Sequence, residues 1–169
     1  IDFTDEGFDL AVRGRTPPDS GLVARKLEDA DLLIAAAPAY LKRHRAPRTP
    51  EDLARHDCVQ FVLPSSGQVV PWLLRREGQI TEWTTEGRLR CTDDILAPIT
   101  LARAGGGLVQ TYRFLVEGDL REGRLVEVLA EHAGASRPFS LIYPASRHMP
   151  LRVRVLIDFL VSALGKNAR

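Results

Sequence analysis

Cysteine is nearly missing: the 169 residues hold two, Cys58 and Cys91. Two thiols cannot staple a small secreted scaffold, and their separation matches no metal-ligand spacing. Both stand in apolar, strand-like runs, which predicts reduced core thiols in a cytosolic protein rather than redox sensors. No apolar run reaches the ~18 residues that would span a bilayer. The net charge is only +1. With no clustered basic face in the sequence, neither nucleic acid nor an anionic membrane is drawn to the chain as a whole. The motifs HExxH, CxxC and GxSxG do not occur, and His44, His56, His132 and His148 are scattered without ligand spacing. A resident metal or cofactor thus finds no support, and the chain is expected not to be an enzyme.

What is present suits a folded domain. At 44% apolar and 27% charged residues, there is material for a core in one domain or two small lobes. Charge is uneven along the chain. Acids gather early (Asp2, Asp5, Glu6, Asp9, Asp19, Glu28, Asp29) and bases late (Arg137, Arg147, Arg152, Arg154, Lys166, Arg169). These offset one another if the two ends pack together.

An apolar strand at residues 8–12 ends in Arg13-Gly14, and a Pro-Pro-Asp-Ser-Gly turn leads to a second short strand at 22–27. Residues 31–37, DLLIAAA, form a continuous apolar run, the pattern of a strand covered on both faces. Pro38 suits a first helical turn, and Thr49-Pro50-Glu51-Asp52 reads as a capped helix start ending near His56. Residues 58–63 predict a strand, and 69–74, 78–84 and 86–91 a β-meander. Thr92-Asp93-Asp94 caps a predicted helix to about Ala104, with Pro98 kinking it and three glycines ending it. A short strand (108–110), a brief helix (114–120) and strands at 124–129 and 139–143 follow. The last helix, 150–164, is apolar almost all round apart from a stripe of Arg154, Asp158 and Ser162, and is expected to be largely buried. Alternating strands and helices with one antiparallel insertion make an α/β pattern.

Several segments then stand in a telling order: GFDLAVRG and LVARKL before residue 28, the run LLIAAAPAYLKRHRAPRTPEDLARHDCVQF over 32–61, and GRLR before Thr92-Asp93. ARAGGGLVQ (102–110), GDLREGRLVEVL (118–129) and IYPASRHMPLRVRVLIDFL (142–160) complete the series. Together they resemble the effector-binding domain of the LysR-type transcriptional regulators. The resemblance implies an α/β, two-lobed, type II periplasmic-binding-protein-like effector domain with the N-terminal part of lobe one missing. Residues 1–30 and 141–169 would form lobe one and 31–140 lobe two, with crossings near 27–33 and 139–143. A small-molecule effector, a carboxylate or an aromatic, would sit between the lobes and alter the geometry of a homodimer or tetramer. DNA would be met only through the N-terminal helix-turn-helix domain, in the cytoplasm and without a membrane.

The family's winged helix-turn-helix, linker helix and first strands of lobe one have no counterpart in the sequence. Phe8, Leu10 and Val12 therefore need other partners, and the chain is expected to be a trimmed portion of a longer protein, poorly stable alone. Gln110-Thr111-Tyr112 also departs from the family, which usually has an apolar residue and proline there. A solute-binding protein or an enzyme on the same fold is the alternative reading.

Candidate effector contacts follow from strand ends, where an α/β sheet opens its crevice. Arg13 could pair with a carboxylate beside the permissive backbone of Gly14, or be a surface arginine next to a turn. Thr92 and Asp93 could present a polar ligand with free backbone N–H groups, or simply cap a helix. Gln60 and Phe61 could supply an amide and an aromatic wall, or pack in the core, while Val109 and Gln110 end another strand. The Gly105–Gly107 run lacks the Lys-Ser/Thr of a phosphate loop and reads as a helix terminator. Tyr143, Arg147 and His148 read as structural, closing lobe one.

Overall fold

In the computed structural model, which describes residues 7–14, 21–145 and 149–165, the two strands expected at 22–27 and 31–37 are one. β1 is Ala11–Arg13, and β2 runs unbroken over Leu22–Ala36. Glu28-Asp29-Ala30 holds no glycine or proline to end the strand, so extended backbone carries through. The Pro-Pro-Asp-Ser part of the expected turn, Arg147 and His148 lie outside the described residues, as do Asp2, Asp5, Glu6, Lys166 and Arg169. Pro38 opens α1, Pro38–Arg43. A 3-10 turn follows over Pro50–Arg55, where the Asp52 carboxylate accepts the backbone N–H groups of Arg48 at 2.9 Å and Thr49 at 3.0 Å. Those two donors hold its pKa down to about 2. Beyond it come β3 (Gln60–Phe61), β4 (Trp72–Arg76), β5 (Gln79–Trp83) and β6 (Arg90–Cys91). The remaining elements are α2 (Ala97–Arg103), β7 (Val109–Tyr112), α3 (Arg113–Arg121), β8 (Val126–Val128), β9 (Ser136–Pro144) and α4 (Leu151–Leu164).

The contacts divide the chain into two units, Ile1–Ala30 with Ser136–Arg169 and Asp31–Ala135. In the first, β1 pairs antiparallel with β9, Val12 opposite Leu141, and β9 neighbours β2. Val153 and Ile157, one turn apart on α4, close a small core with Leu27 and Leu141. The helix is not largely buried, contrary to its composition. Leu151 is 75% exposed and Phe159 62%, with Val155 and Leu156 also exposed. A helix buries only the stripe that meets a partner; among the described residues, nothing covers the Leu151–Val155–Phe159 stripe. Phe8 and Val12 are exposed as well, while Leu10 packs against the core.

In the second unit β2 is the central strand. It pairs antiparallel with β7 (Ala35 opposite Val109) and with β8 (Ala35 opposite Glu127). Because side chains alternate along a strand, Ile34 and Ala36 enter one core with Tyr40, Leu53, Cys58, Trp72, Leu74 and Leu108. Leu33, Ala35 and Ala37 enter another with Ile99, Ala102, Val109, Val116 and Leu125. The unbroken apolar run is thus the signature of burial on both faces. Cys58, whose thiol burial pushes up to about 12, is an inert core residue.

The meander stops after two strands. β4 and β5 form a hairpin turned by Glu77-Gly78, both at positive φ, with Trp72 opposite Trp83. β6 leaves it and pairs parallel with β3, Gln60 beside Arg90. The diversion is fixed where the Cys58 N–H donates to Glu86 O at 3.0 Å. There Gly87 lies so close to the Cys58 carbonyl that a Cβ would collide with it. Gly107 meets the Asp57 carbonyl in the same way, so the third glycine of the run does more than end a helix.

Asp119 of α3, 2% exposed, binds the second unit's helices together. It accepts Arg103 Nε at 2.9 Å and Arg124 Nε at 2.6 Å, and its backbone carbonyl takes the Arg124 N–H at 2.9 Å. The Arg103 hydrogen bond, with that of Arg124, holds its carboxyl below the ordinary range. Asp119→Asn is expected to cost on the order of 2 kcal/mol at pH 7, since both arginines remain partly solvated. A carboxyl depressed in the folded state stabilises above its unfolded pKa, about 3.9, and that contribution is lost as pH falls through the lower folded value. Urea titrations of both proteins from pH 7 down to 3 should therefore show a constant gap that closes below about pH 4.

Candidate functional site

The parallel strands of the second unit gather four of the eight residues singled out in the sequence: Gln60 and Phe61 on β3, with Thr92 and Asp93 just after β6. Phe61 lies beside Cys91 in the β3–β6 register, so Thr92 and Asp93 emerge next to the end of β3. Both are exposed, and Asp93 takes a left-handed backbone conformation at φ 65°. The helix they were expected to cap starts later, at Ala97. Instead, Asp94 accepts the Leu96 N–H at 2.8 Å and closes a turn. Pro98 stands in the first turn of α2, where its missing N–H costs nothing, so it starts the helix rather than kinking it. Arg13, at the end of β1 opposite Ser140, is exposed, and Gly14 follows it.

The other candidates hold the fold. Val109 is core. Gln110 acts as a side-chain imitation of a strand: its Oε1 accepts the Leu73 N–H at 2.9 Å and its Nε2 donates to Leu73 O at 2.8 Å. The hairpin is thereby tied to β7, and the departure from the family's apolar pattern acquires a reason. Gln60 is 2% exposed. Its Nε2 donates to Thr85 O and its Oε1 accepts Arg90 Nε at 3.2 Å.

Around Gln60 the second unit folds a concave surface that the sequence did not reveal. Arg55, His56, Gln60, Thr85, Glu86 and Arg90 line a cleft of about 570 Å³, with the Asp57–Arg88 pair at its side. Arg88 grips Asp57 through Nε at 3.0 Å and Nη2 at 2.7 Å. Its hydrogen bonds hold the Asp57 carboxyl below the ordinary range. Tyr40 OH accepts the Asp57 N–H at 3.1 Å and faces His56 Nδ1 at 3.0 Å. The Tyr40 hydroxyl thus engages Nδ1 of His56 and leaves Nε2 as the ring nitrogen not used in that contact. Burial, and the nearby His44, keep the His56 pKa low. Thr85 is 5% exposed, and its Oγ1 has no hydrogen-bond partner. Arg88 and Arg90 stand two apart in GRLR, but only Arg90 belongs to β6; Arg88 lies in a bend and turns to Asp57.

The whole arrangement has known counterparts. The LysR substrate binding domain matches residues 1–165. The chain belongs to that family. It is 34% identical over 169 residues to the HTH-type transcriptional regulator CrgA of Neisseria meningitidis, covering 99% of this chain and 55% of that protein. The CrgA regulatory domain superposes with a TM-score of 0.80 at 32% identity, over 96% of this chain and 78% of that one. Full-length AphB, a virulence activator of Vibrio cholerae, gives 0.76 at 25% identity, over 97% of this chain and 54% of that one. This LysR-family chain therefore has the periplasmic-binding-protein-like α/β architecture of regulatory domains, and spans about half the length of the curated relatives it matches. Those relatives are transcriptional regulators, which are not enzymes. Among the described residues no three His, Cys, Asp or Glu side chains are placed to hold a metal, and no helix is long and apolar enough to cross a membrane.

Two substitutions separate the structural glutamine from the unpartnered hydroxyl. Gln110→Ala strips both hydrogen bonds from Leu73 and is expected to lower stability by about 2 kcal/mol. Thr85→Val removes a buried hydroxyl that bonds nothing and should leave stability unchanged or raise it by about 1 kcal/mol. Denaturant midpoints measure both, and a destabilised valine variant would show that the Thr85 hydroxyl is satisfied in solution.

Proposed function

We propose that this chain is the effector-sensing part of a bacterial, cytoplasmic LysR-type regulator. Its full-length protein would bind DNA through an N-terminal helix-turn-helix and assemble as a homodimer or tetramer. The match to the LysR substrate binding domain over residues 1–165 carries the reading, and relatives named as transcriptional regulators support it over a solute receptor or an enzyme. A small molecule that prefers one arrangement of the domain shifts the oligomer toward it, and so resets the spacing of the DNA-binding heads.

Within this reading each unit carries its own proposed effector contacts at strand ends: Arg13 and Gly14 in the first, Phe61, Thr92 and Asp93 in the second. The remaining candidates, Gln60, Val109 and Gln110, are buried or half-buried in the second unit. A carboxylate effector would use Arg13 through paired N–H···O bonds.

The full-length protein is expected to retard a fragment of its own promoter in a gel assay, and a small carboxylate or aromatic is expected to change that retardation. Arg13→Ala should weaken binding of a carboxylate effector by about tenfold or more, the worth of a charge-assisted hydrogen bond. Failure of the intact protein to bind any promoter fragment would remove the regulator reading. Calorimetry that finds Arg13→Ala without effect on a carboxylate would remove the arginine's role.

A further inference from the structure

We propose that the cleft lined by Arg55, His56 and Arg90 in the second unit is a binding site for a small oxyanion: a carboxylate, sulfate or phosphate. The proposal does not rest on the effector reading. That reading points to Phe61, Thr92 and Asp93, at the carboxyl ends of β3 and β6. The cleft instead opens among residues that lead into those strands, His56 and Asp57 before β3, Thr85 to Arg88 before β6.

Charge and donors decide what fits. Asp57 is answered by Arg88, and Asp52 by Arg55. Arg90 is different: its guanidinium is aimed by the neutral Oε1 of buried Gln60 at 3.2 Å, and the ion pairs of the described residues give it no carboxylate. The Gln60 amide is in turn fixed by Thr85 O, so the arginine rests on a fully bonded, buried support. Its remaining N–H groups form a planar fork suited to two oxygens of one anion. His56 offers Nε2, its Nδ1 being engaged by the Tyr40 hydroxyl. The unpartnered hydroxyl of Thr85 lies in the same wall and supplies a further donor. Glu86 on the rim is the one carboxylate of the lining without an ion pair among the described residues. It opposes any anion, and a bulky polyanion most of all. A volume of about 570 Å³ admits a small oxyanion with its hydration.

The test is calorimetry at low ionic strength on the full-length protein, titrated separately with sulfate, inorganic phosphate, malonate and benzoate. Saturable binding of at least one is expected, weakened by added salt. The ranking of the four separates sulfate, phosphate and carboxylate as the natural source. Arg90→Gln should lose about tenfold in affinity. Thr85→Val should lose about threefold or more, while Arg121→Gln, an exposed arginine of α3 outside both the cleft and the proposed effector contacts, should bind as the wild type does. No saturable binding by any of the four anions overturns the proposal. So does affinity unchanged in Arg90→Gln, or a loss in Arg121→Gln as large as in Arg90→Gln. Promoter retardation is read in parallel: its failure beside Arg90-dependent anion binding removes the regulator reading and leaves this site standing.

Discussion

Everything in the second unit hangs on six consecutive residues, the last five of β2 and Ala37 after them, being buried on both sides. From Leu32 to Ala37 no side chain is more than slightly exposed. Alternation sends Ile34 and Ala36 one way and Leu33, Ala35 and Ala37 the other. Small residues at 35, 36 and 37 let two layers approach the same backbone closely, so a larger side chain at any of them would push one layer away. With β7 and β8 both drawing hydrogen bonds from this stretch, its backbone polar groups are satisfied where its side chains are dry. The helices and the hairpin are then secondary attachments to a fixed plane.

Those attachments are polar and specific. Asp119 joins α2, α3 and the start of the β8 segment through two arginines. Gln110 receives the hairpin's edge in place of a neighbouring strand. Tyr40, stacked on His44 and bonded to His56, ties α1 to the segment entering β3. Gln110 and Tyr40 pair backbone groups that a purely apolar contact would leave unpaired, Asp119 answers two guanidinium groups, and each fixes an orientation rather than merely adding adhesion.

Much of this was legible in the sequence, for a definite reason. Patterns that depend on one segment alone survived: the doubly apolar run of β2, Pro50 behind its capping residues, glycines ending α2, and the series of segments that marks the LysR family. Patterns that depend on a distant partner did not. The strand at Arg90 reads as the third of a meander, and only the contact of Gly87 with Cys58 turns it toward β3. The apolar circumference of α4 says that it can be buried, not which stripe finds a partner. Gln110 was noticed as out of place, yet its reason is a backbone 37 positions earlier in the chain. The cleft at Arg90 draws on residues from Ala54 to Arg90 with no shared spacing, so no motif could announce it. At the strand ends the sequence indicated which residues to examine, and burial separated exposed groups such as Thr92 from packed ones such as Val109.

The hairpin has one more consequence, for how the protein can be watched. The chain has two tryptophans, and they face each other across β4 and β5, Trp72 in the core and Trp83 packed against it. Intrinsic emission excited in the indole band therefore reports on a single hairpin. The sheet of β1 and β9 and the helix α4 contribute no indole, so their melting would pass unseen in such a trace. An unfolding curve of this chain read from indole emission is a curve of its second unit, and the first must be followed by another probe.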